Sequence, residues 1–315
     1  MATVQTVTGP LESARLGVTL MHEHVITAPA GWQADGFAVA TRTTRDAVVA
    51  TLPKLAAMRE AGVSTFVDVT PADLGRNVEL LVEVSRASGV PIVCATGSYA
   101  RWGLPYFTQQ RHEWRAEDLA GIYIRDVTEG IGDSGVRAGV IKIATNPPPH
   151  SPYEQAALRG AAIAQRETGV PIVTHCERGL GGHEQLDLFE QERANLRQCV
   201  IGHTCDSSDL AYLRALLARG ATLGFDRMGL DRLYPDALRQ AMLVALLQLG
   251  YADQIVLSHD HIPYRFVRAE HQLSLGDGDF TYIHRQVLPR LREAGIGQDV
   301  IERMLVATPR RLFEG

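Results

Sequence analysis

Eight short apolar runs, separated by longer segments of helical periodicity, constrain the fold of this 315-residue chain more than any other feature. The runs are rich in Val, Ile and Thr. Most are apolar almost throughout, which is typical of parallel strands that are covered on both faces. The predicted strands are Gly17–Val25, Val63–Thr70, Pro91–Tyr99, Val140–Thr145, Pro171–His175, Gln198–Thr204, Ala221–Arg227 and Gln254–Asp260.

The segments between these runs predict helices that alternate with the strands. Pro53 predicts a kink in the first helix or a later start. Eight strands alternating with eight helices, with no linker and no second compositional zone, indicate an α/β fold. We expect one (β/α)8 TIM barrel spanning residues 1–315, with a doubly wound open sheet as the alternative. The predicted helices are Thr44–Ala61, Glu79–Ser88, Leu119–Ile131, Pro152–Thr168, Glu184–Ala194, Asp206–Arg219, Tyr234–Gly250 and Tyr282–Ala294, followed by Gly297–Leu305, which ends before Pro309.

Charge and cysteine content exclude several classes of protein. The chain has 31 Lys and Arg against 36 Asp and Glu, a net charge of −5, which argues against a nucleic-acid partner. No apolar stretch approaches the roughly 18 residues of a membrane helix, and the N-terminus lacks the pattern of a secretory signal. The 4 cysteines form no Cys-x-x-Cys pair. We therefore expect a cytoplasmic protein that acts on a small molecule away from membranes.

Polar side chains interrupt several of the predicted strands at one end. Active sites of such barrels lie at the C-terminal ends of the strands, so these residues should meet at one mouth. His22 and His24 are two apart on a strand and should point to the same side. They could be a hydrogen-bonded pair in the core or on the surface. With three further strand-end residues, the pattern favours a Zn²⁺ or similar site with a position left open for water. The three are His175, His203 and Asp260.

Lys142 lies within the fourth run and does not fit a simple cation site. An ammonium group would be repelled by bound cations and is costly to desolvate. It could pair with an acid or point outward. It could also react with CO₂ to give a carbamate anion able to bridge two metals. Spacing alone does not choose between these alternatives.

Taken together, these residues resemble the phosphotriesterase family of the amidohydrolase superfamily, and within it the phosphotriesterase-like lactonases. The resemblance runs from Gly9-Pro10 to about Phe313. It rests on Gly17-Val18-Thr19-Leu20-Met21-His22-Glu23-His24, Ile141-Lys142-Ile143-Ala144-Thr145, Thr174-His175, Ile201-Gly202-His203-Thr204 and Leu257-Ser258-His259-Asp260.

The resemblance implies two divalent metal ions, Zn first, with Fe, Co or Mn also compatible. Carboxylated Lys142 and a hydroxide would bridge them, and the hydroxide would be the nucleophile. Asp260 would accept its proton. His22, His24 and Asp260 would hold the buried metal, and His175 and His203 the more exposed one. The family resemblance also implies a homodimer.

Three further residues match positions of functional interest in the family. Tyr99 and Arg227 match the lactonase branch, where they contact the substrate. Asp206 and Arg227 match a polar relay behind Asp260. Alternatively, Tyr99 is an aromatic covering the barrel mouth, Asp206 a helix cap and Arg227 a salt-bridge cation.

The segment after Asp260 departs from the lactonase pattern. His261-Ile262-Pro263-Tyr264-Arg265-Phe266 is followed by a polar, Gly-rich stretch to Asp279. His261, Tyr264 and Arg265 could contact a polar substrate or be exposed without a role. The leading hypothesis is a lactonase or carboxylic esterase with phosphotriesterase side activity. The alternatives are a dedicated phosphotriesterase, a hydrolase of another polar ester or amide, or a metal-occupied barrel that only binds a ligand.

Overall fold

A sheet of eight parallel strands forms a nearly closed barrel in the computed structural model, which describes residues 2–29, 44–99, 115–265 and 279–315. The first and last strands of the ladder come together at the barrel mouth, where Asp260 N–H donates to His22 O (3.2 Å) and His24 N–H donates to His261 O (3.2 Å). In chain order the barrel strands are β3 (Thr19–Glu23), β5 (Thr65–Asp68), β6 (Ile92–Ser98), β7 (Val140–Thr145), β8 (Ile172–Cys176), β9 (Cys199–Ile201), β10 (Thr222–Phe225) and β11 (Ile255–Leu257).

Two short pairs of strands lie outside this ladder. An antiparallel hairpin, β1 (Thr3–Thr6) with β2 (Gly9–Glu12), precedes the barrel. A parallel pair, β4 (Ile26–Thr27) with β12 (Tyr264–Arg265), extends the barrel mouth beyond β3 and β11. The sequence reasoning missed both pairs, because segments of two to four residues are too short to display a period.

The helices follow the strands in alternation. They are α1 (Thr44–Glu60), α2 (Val78–Ser88), α3 (Ala116–Thr128), α4 (Pro152–Thr168), α5 (Gly182–Gln191), α6 (Leu210–Ala218), α7 (Asp236–Gln248), α8 (Leu288–Glu293), α9 (Gln298–Glu302) and α10 (Thr308–Glu314). A π-helical segment, Ile283–Val287, leads into α8, and a second, Arg303–Ala307, joins α9 to α10. No helix within the described ranges is long and apolar enough to cross a membrane.

Alternation along the strands separates two apolar layers. In β7, Ile141 and Ile143 pack in the large cluster between sheet and helices, whereas Val140 packs with valines of the neighbouring strands. This second cluster fills the barrel interior, as expected for such a fold. Lys142 shares the inward direction of Val140. The interior cluster comprises Val4, Leu16, Met21, Val67, Val69, Val93, Ala95, Val140, Val173, Val200, Val256 and Leu312.

Two predicted helix boundaries were wrong for an identifiable reason. The helix predicted from Asp206 begins at Leu210, because Asp209 is the residue whose side chain caps it, accepting from Tyr212 N–H at 3.0 Å. The last helical segment does not end before Pro309, since that proline lies in the first turn of α10, where its missing N–H costs little. By contrast, α1 starts at Thr44 as predicted and contains Pro53, so that proline does not delay the start of the helix.

Candidate metal centre at the barrel mouth

The structure brings the six predicted metal-ligating residues together at the C-terminal ends of the strands. His22 lies in β3, Lys142 in β7 and His175 in β8, while the others follow their strands. His22, His203 and Asp260 each place a donor atom within 4.8 Å of the other two. A register shift between Leu20 and Glu23 turns the end of β3 relative to β5. Bulges of this kind commonly re-aim side chains beside active sites.

Asp226, which follows β10 and is fully buried, fixes two of the histidines. Its Oδ2 lies 2.8 Å from His22 Nδ1, and its Oδ1 lies 2.9 Å from His203 Nδ1. An ionised carboxylate only accepts hydrogen bonds, so both Nδ1 atoms carry the proton and both Nε2 atoms keep a free lone pair. The sequence reasoning missed Asp226. Its position directly after a strand was the one signal that could have identified it.

The tautomers of His175 and His24 follow from their own partners. His175 Nε2 lies 3.0 Å from Glu177 Oε2, which leaves the lone pair on Nδ1. Thr70 Oγ1 donates to Ile26 O (3.3 Å) and therefore accepts from His24 Nδ1 at 2.7 Å. The lone pair of His24 Nε2 then faces Asp260 Oδ1 at 3.2 Å.

These contacts leave electron-rich atoms facing one another. His203 Nε2 and His175 Nδ1 are 2.8 Å apart, and both carry lone pairs in the neutral tautomers. Burial lowers the pKa of His22 to about 4, aided by the charge of Lys142, and burial and nearby cations also lower the pKa of His203. A set of neutral imidazole nitrogens with one carboxylate is the donor set that divalent transition metals prefer. The residues therefore fit a divalent cation.

Lys142 is fully buried among these groups. Its Nζ lies 2.8 Å from His22 Nε2 and 3.2 Å from Thr174 O, and within the described ranges no carboxylate pairs with it. Burial lowers the pKa of Lys142 to about 7, although Asp260 and Asp226 act in the opposite direction. The side chain thus neither points outward nor has an acid as its direct partner.

Asp260 occupies a left-handed backbone conformation, with φ of 55°. Its Oδ1 faces His24, and its Oδ2 accepts from Arg227 Nε at 3.0 Å. Burial acts to raise the pKa of Asp260, but the adjacent Arg227 guanidinium opposes this, and the pKa lies well below its ordinary value. With 14% of its side chain exposed, Asp260 is the member of the set that reaches solvent.

Arg227 links Asp260 to a second buried acid. Its Nη1 donates to Asp206 Oδ2 at 2.7 Å. Asp206 Oδ1 accepts from Nε (3.1 Å) and Nη2 (2.7 Å) of Arg239, whose side chain is fully buried in α7. Asp206 therefore lies between two guanidinium groups and does not cap a helix. Burial opposes the charge of Arg227, but Asp260 and Asp206 outweigh it and raise the pKa of Arg227. The sequence reasoning missed Arg239.

Tyr99 stands at the end of β6 against the histidines. Its ring meets the His175 ring edge-on, with the centroids 5.3 Å apart. Its backbone N–H donates to both carboxylate oxygens of Asp73 at 2.8 Å. Tyr99 is almost completely buried.

The start of the 261–279 segment is also partly buried. His261 is buried and its Nδ1 lies 3.0 Å from Asp279 O, so this residue is not simply exposed. Tyr264 and Arg265 form β12 and are half-buried. The remainder of the predicted substrate loop, residues 266–278, lies outside the described ranges.

Comparisons with known proteins agree on one family. The model of the phosphotriesterase family matches residues 2–313. A phosphotriesterase homology protein of Mycobacterium tuberculosis is 35% identical, over 100% of this chain and 98% of the relative. An aryldialkylphosphatase of Saccharolobus solfataricus is 30% identical, over 96% of each chain. A solved mutant of a phosphotriesterase-like lactonase from Deinococcus radiodurans is 38% identical with a TM-score of 0.91, covering 99% of this chain and 100% of that one.

Proposed function

The chain belongs to the phosphotriesterase family, and we propose that it is a metal-dependent lactonase or carboxylic esterase that also cleaves phosphotriesters slowly. The observation that carries the proposal is the convergence of four imidazole nitrogens and the Asp260 carboxylate at the barrel mouth. Tyr99 and Arg227, which border this cluster, support the lactone preference, as does the likeness to a phosphotriesterase-like lactonase. We further propose a homodimer in the cytoplasm.

Six residues at the barrel mouth would hold the metal ions. His22, His24 and Asp260 would hold one divalent ion, and His175 and His203 the other, with zinc the first candidate. Lys142 would lie between them as its N6-carboxylated form. Bound there, the ions would lower the pKa of water from about 15.7 towards 7 and polarise the carbonyl or phosphoryl oxygen of the substrate.

The carbamate proposal for Lys142 rests on its surroundings. Its Nζ lies against His22 and a backbone carbonyl, and burial favours the neutral amine. Only the neutral amine can attack CO₂: the new N–C bond forms as one C=O bond of CO₂ becomes C–O⁻, and the nitrogen releases one proton to solvent. The resulting anion would neutralise cationic charge in the interior. Growth with ¹³C-labelled bicarbonate should give a carbamate carbon signal in the NMR spectrum that Lys142→Arg abolishes.

Asp260 is the proton acceptor in this proposal. Its carboxylate would take a proton from the attacking water and deliver it to the alkoxide oxygen that leaves when the ester bond breaks. Arg227 keeps its own proton because of its raised pKa, so it cannot relay one towards Asp206. We therefore propose that Arg227 and Asp206 orient Asp260, which passes the proton directly to the leaving oxygen.

A substrate panel with the metal-loaded protein tests the proposal. Elemental analysis after growth with zinc and bicarbonate should find about two ions per chain. Lactones should then be hydrolysed with kcat/KM at least 100-fold above paraoxon-type triesters, and Asp260→Asn should abolish both activities. Triester turnover without lactone turnover would support the alternative of a dedicated phosphotriesterase. Absence of bound metal would overturn the proposal entirely.

A further inference from the structure

Glu23, the residue between His22 and His24, is fully buried but belongs to neither the metal nor the substrate set. Its carboxylate reaches across to the residues that follow β11. Oε1 accepts from His259 N–H (2.8 Å) and lies 2.7 Å from His259 Nδ1, and Oε2 accepts from His261 N–H (3.0 Å). The buried Glu23 side chain thus makes three contacts with His259 and His261, the two residues that flank Asp260.

The proton positions make Glu23 an acceptor in every contact. His259 Nε2 accepts from Ile283 N–H at 3.2 Å, so the imidazole proton of His259 lies on Nδ1 and points at Glu23. The other two donors are backbone amides. Glu23 thus gathers three N–H groups around one turn, two from the backbone and one from the His259 imidazole.

The backbone turn at Asp260, which Glu23 contacts on both sides, has an unusual conformation. Asp260 has a φ of 55°, in the left-handed region that residues other than glycine adopt only occasionally. Such a conformation persists only where the surroundings impose it. Here β3 and the end of β11 are tied by Asp260 N–H to His22 O and by His24 N–H to His261 O, with the Glu23 contacts between these two bonds.

We propose that Glu23 is a positioning residue that fixes the left-handed turn at Asp260, so that the Asp260 carboxylate stands between His24 and Arg227 before any cation binds. The part of this inference that concerns cation affinity rests on the proposed function. The part that concerns the turn does not.

Glu23→Gln tests the effect on the site, with Glu154→Gln as the matched control. A glutamine would place an NH₂ group against one of the N–H donors and lose that contact. Glu154 is also buried and also accepts two backbone N–H groups, from Asn146 (2.6 Å) and Ser151 (2.7 Å), but it does not flank a ligand. Titration of metal-free protein with Zn²⁺ against a chromophoric chelator should show a roughly 10- to 100-fold loss of affinity for Glu23→Gln.

The same variant should lower kcat with little change in KM, because the turn orients Asp260 and does not contact substrate. Glu154→Gln should change Zn²⁺ affinity and kcat less than threefold. Equal Zn²⁺ affinity of Glu23→Gln and the unchanged protein, or an equal loss in both variants, would overturn the proposal.

A measurement on the metal-free protein separates this proposal from the proposed function. A crystal structure of metal-free Glu23→Gln should show Asp260 outside the left-handed region, and an unchanged turn would refute the positioning role. If the variant does not fold, amide hydrogen exchange in the unchanged metal-free protein decides. The amides of His259 and His261 should exchange as slowly as those of the barrel strands. Fast exchange would show that Glu23 does not hold the turn at Asp260. Failure of the unchanged protein to bind Zn²⁺ would refute the proposed function but leave this result standing.

Discussion

At the scale of single residues, three buried carboxylates determine how the groups of the site are arranged. Asp226 orients two imidazoles, Asp206 lies between two guanidinium groups, and Glu23 holds the turn at Asp260. Each is fixed by contacts with residues far away in the chain. Removing the charge of one of them should therefore disturb a buried network as well as a single hydrogen bond.

Asp206→Asn should destabilise the protein strongly. It would leave Arg239, which is fully buried, without its nearest carboxylate, and breaking a buried ion pair in this way costs about 3–5 kcal/mol. Urea unfolding of the metal-free protein measures the change. Asp209→Asn, three residues further on, is the control, because asparagine caps a helix as well as aspartate and the site is exposed. A loss below about 1 kcal/mol for Asp206→Asn would show that the network contributes little.

Lys142→Met should remove metal binding. Methionine is unbranched and only one heavy atom shorter than lysine, but its thioether cannot form a carbamate, so no anion would stand between the two proposed ions. Elemental analysis should find less than one ion per chain, and turnover should fall to background. Short carboxylic acids added to the assay should restore part of the activity by supplying the missing carboxylate. Two bound ions with full activity in this variant would contradict the carbamate assignment.

Residues at strand ends could be predicted from the sequence, whereas their supporting partners could not. His22, His175 and His203 interrupt apolar runs, and a barrel brings such interruptions to one mouth. Asp226 and Arg239 look like ordinary charged residues until the fold places them. Asp206 was open to interpretation as a helix cap for the same reason, since its partners lie 21 and 33 residues away. Long-range pairing of this kind leaves no local pattern.

At the scale of secondary-structure elements, the apolar runs of the sequence predicted where the barrel strands lie, but they predicted less accurately where each strand ends. The predicted Val140–Thr145 strand matches β7, and the predicted Pro152–Thr168 helix matches α4, where Ser151 and Glu154 form a capping box. By contrast, the run predicted as Gln198–Thr204 contains only a short strand, β9. After it, His203 adopts a left-handed conformation that turns its ring to Asp226. Contacts of the site, not strand propensity, determine the backbone there.

Gly97 in β6 lies so close to the backbone of β7 that no side chain fits between the two strands. Its φ is +117°, and a Cβ added there would lie 1.9 Å from Lys142 O of the neighbouring strand. Gly97→Ala should therefore destabilise the protein by more than about 4 kcal/mol, the range of severe substitutions. Gly62→Ala is the control, since Gly62 also has positive φ (+98°) but nothing within 4 Å, and should cost only about 1–2 kcal/mol. Similar losses in urea unfolding would show that β6 can move away from β7.

At the scale of the whole molecule, the barrel keeps several histidines uncharged in its interior. Burial lowers the pKa of His259 to about 3, and burial and neighbouring charges lower those of His22 and His261 to about 4. In the unfolded chain these residues titrate near 6.5. As the pH falls below about 6.5, the unfolded chain binds protons that the folded chain does not. These histidines therefore lower the free energy of unfolding towards acid pH, until the pH reaches the folded pKa values. Glu23, whose pKa burial raises to about 8, acts in the opposite direction.

This linkage gives a prediction that one histidine can test. Between about pH 6 and pH 4, each such histidine should contribute about 1.4 kcal/mol per pH unit to the fall in the free energy of unfolding. His259→Asn should make the slope shallower by about that amount, because the amide keeps a donor for Glu23 but does not titrate. Loss of the contact from Ile283 N–H shifts the absolute stability of the variant, not its slope. Urea unfolding of metal-free protein at a series of pH values measures both slopes, and equal slopes would mean that His259 is protonated in the folded protein.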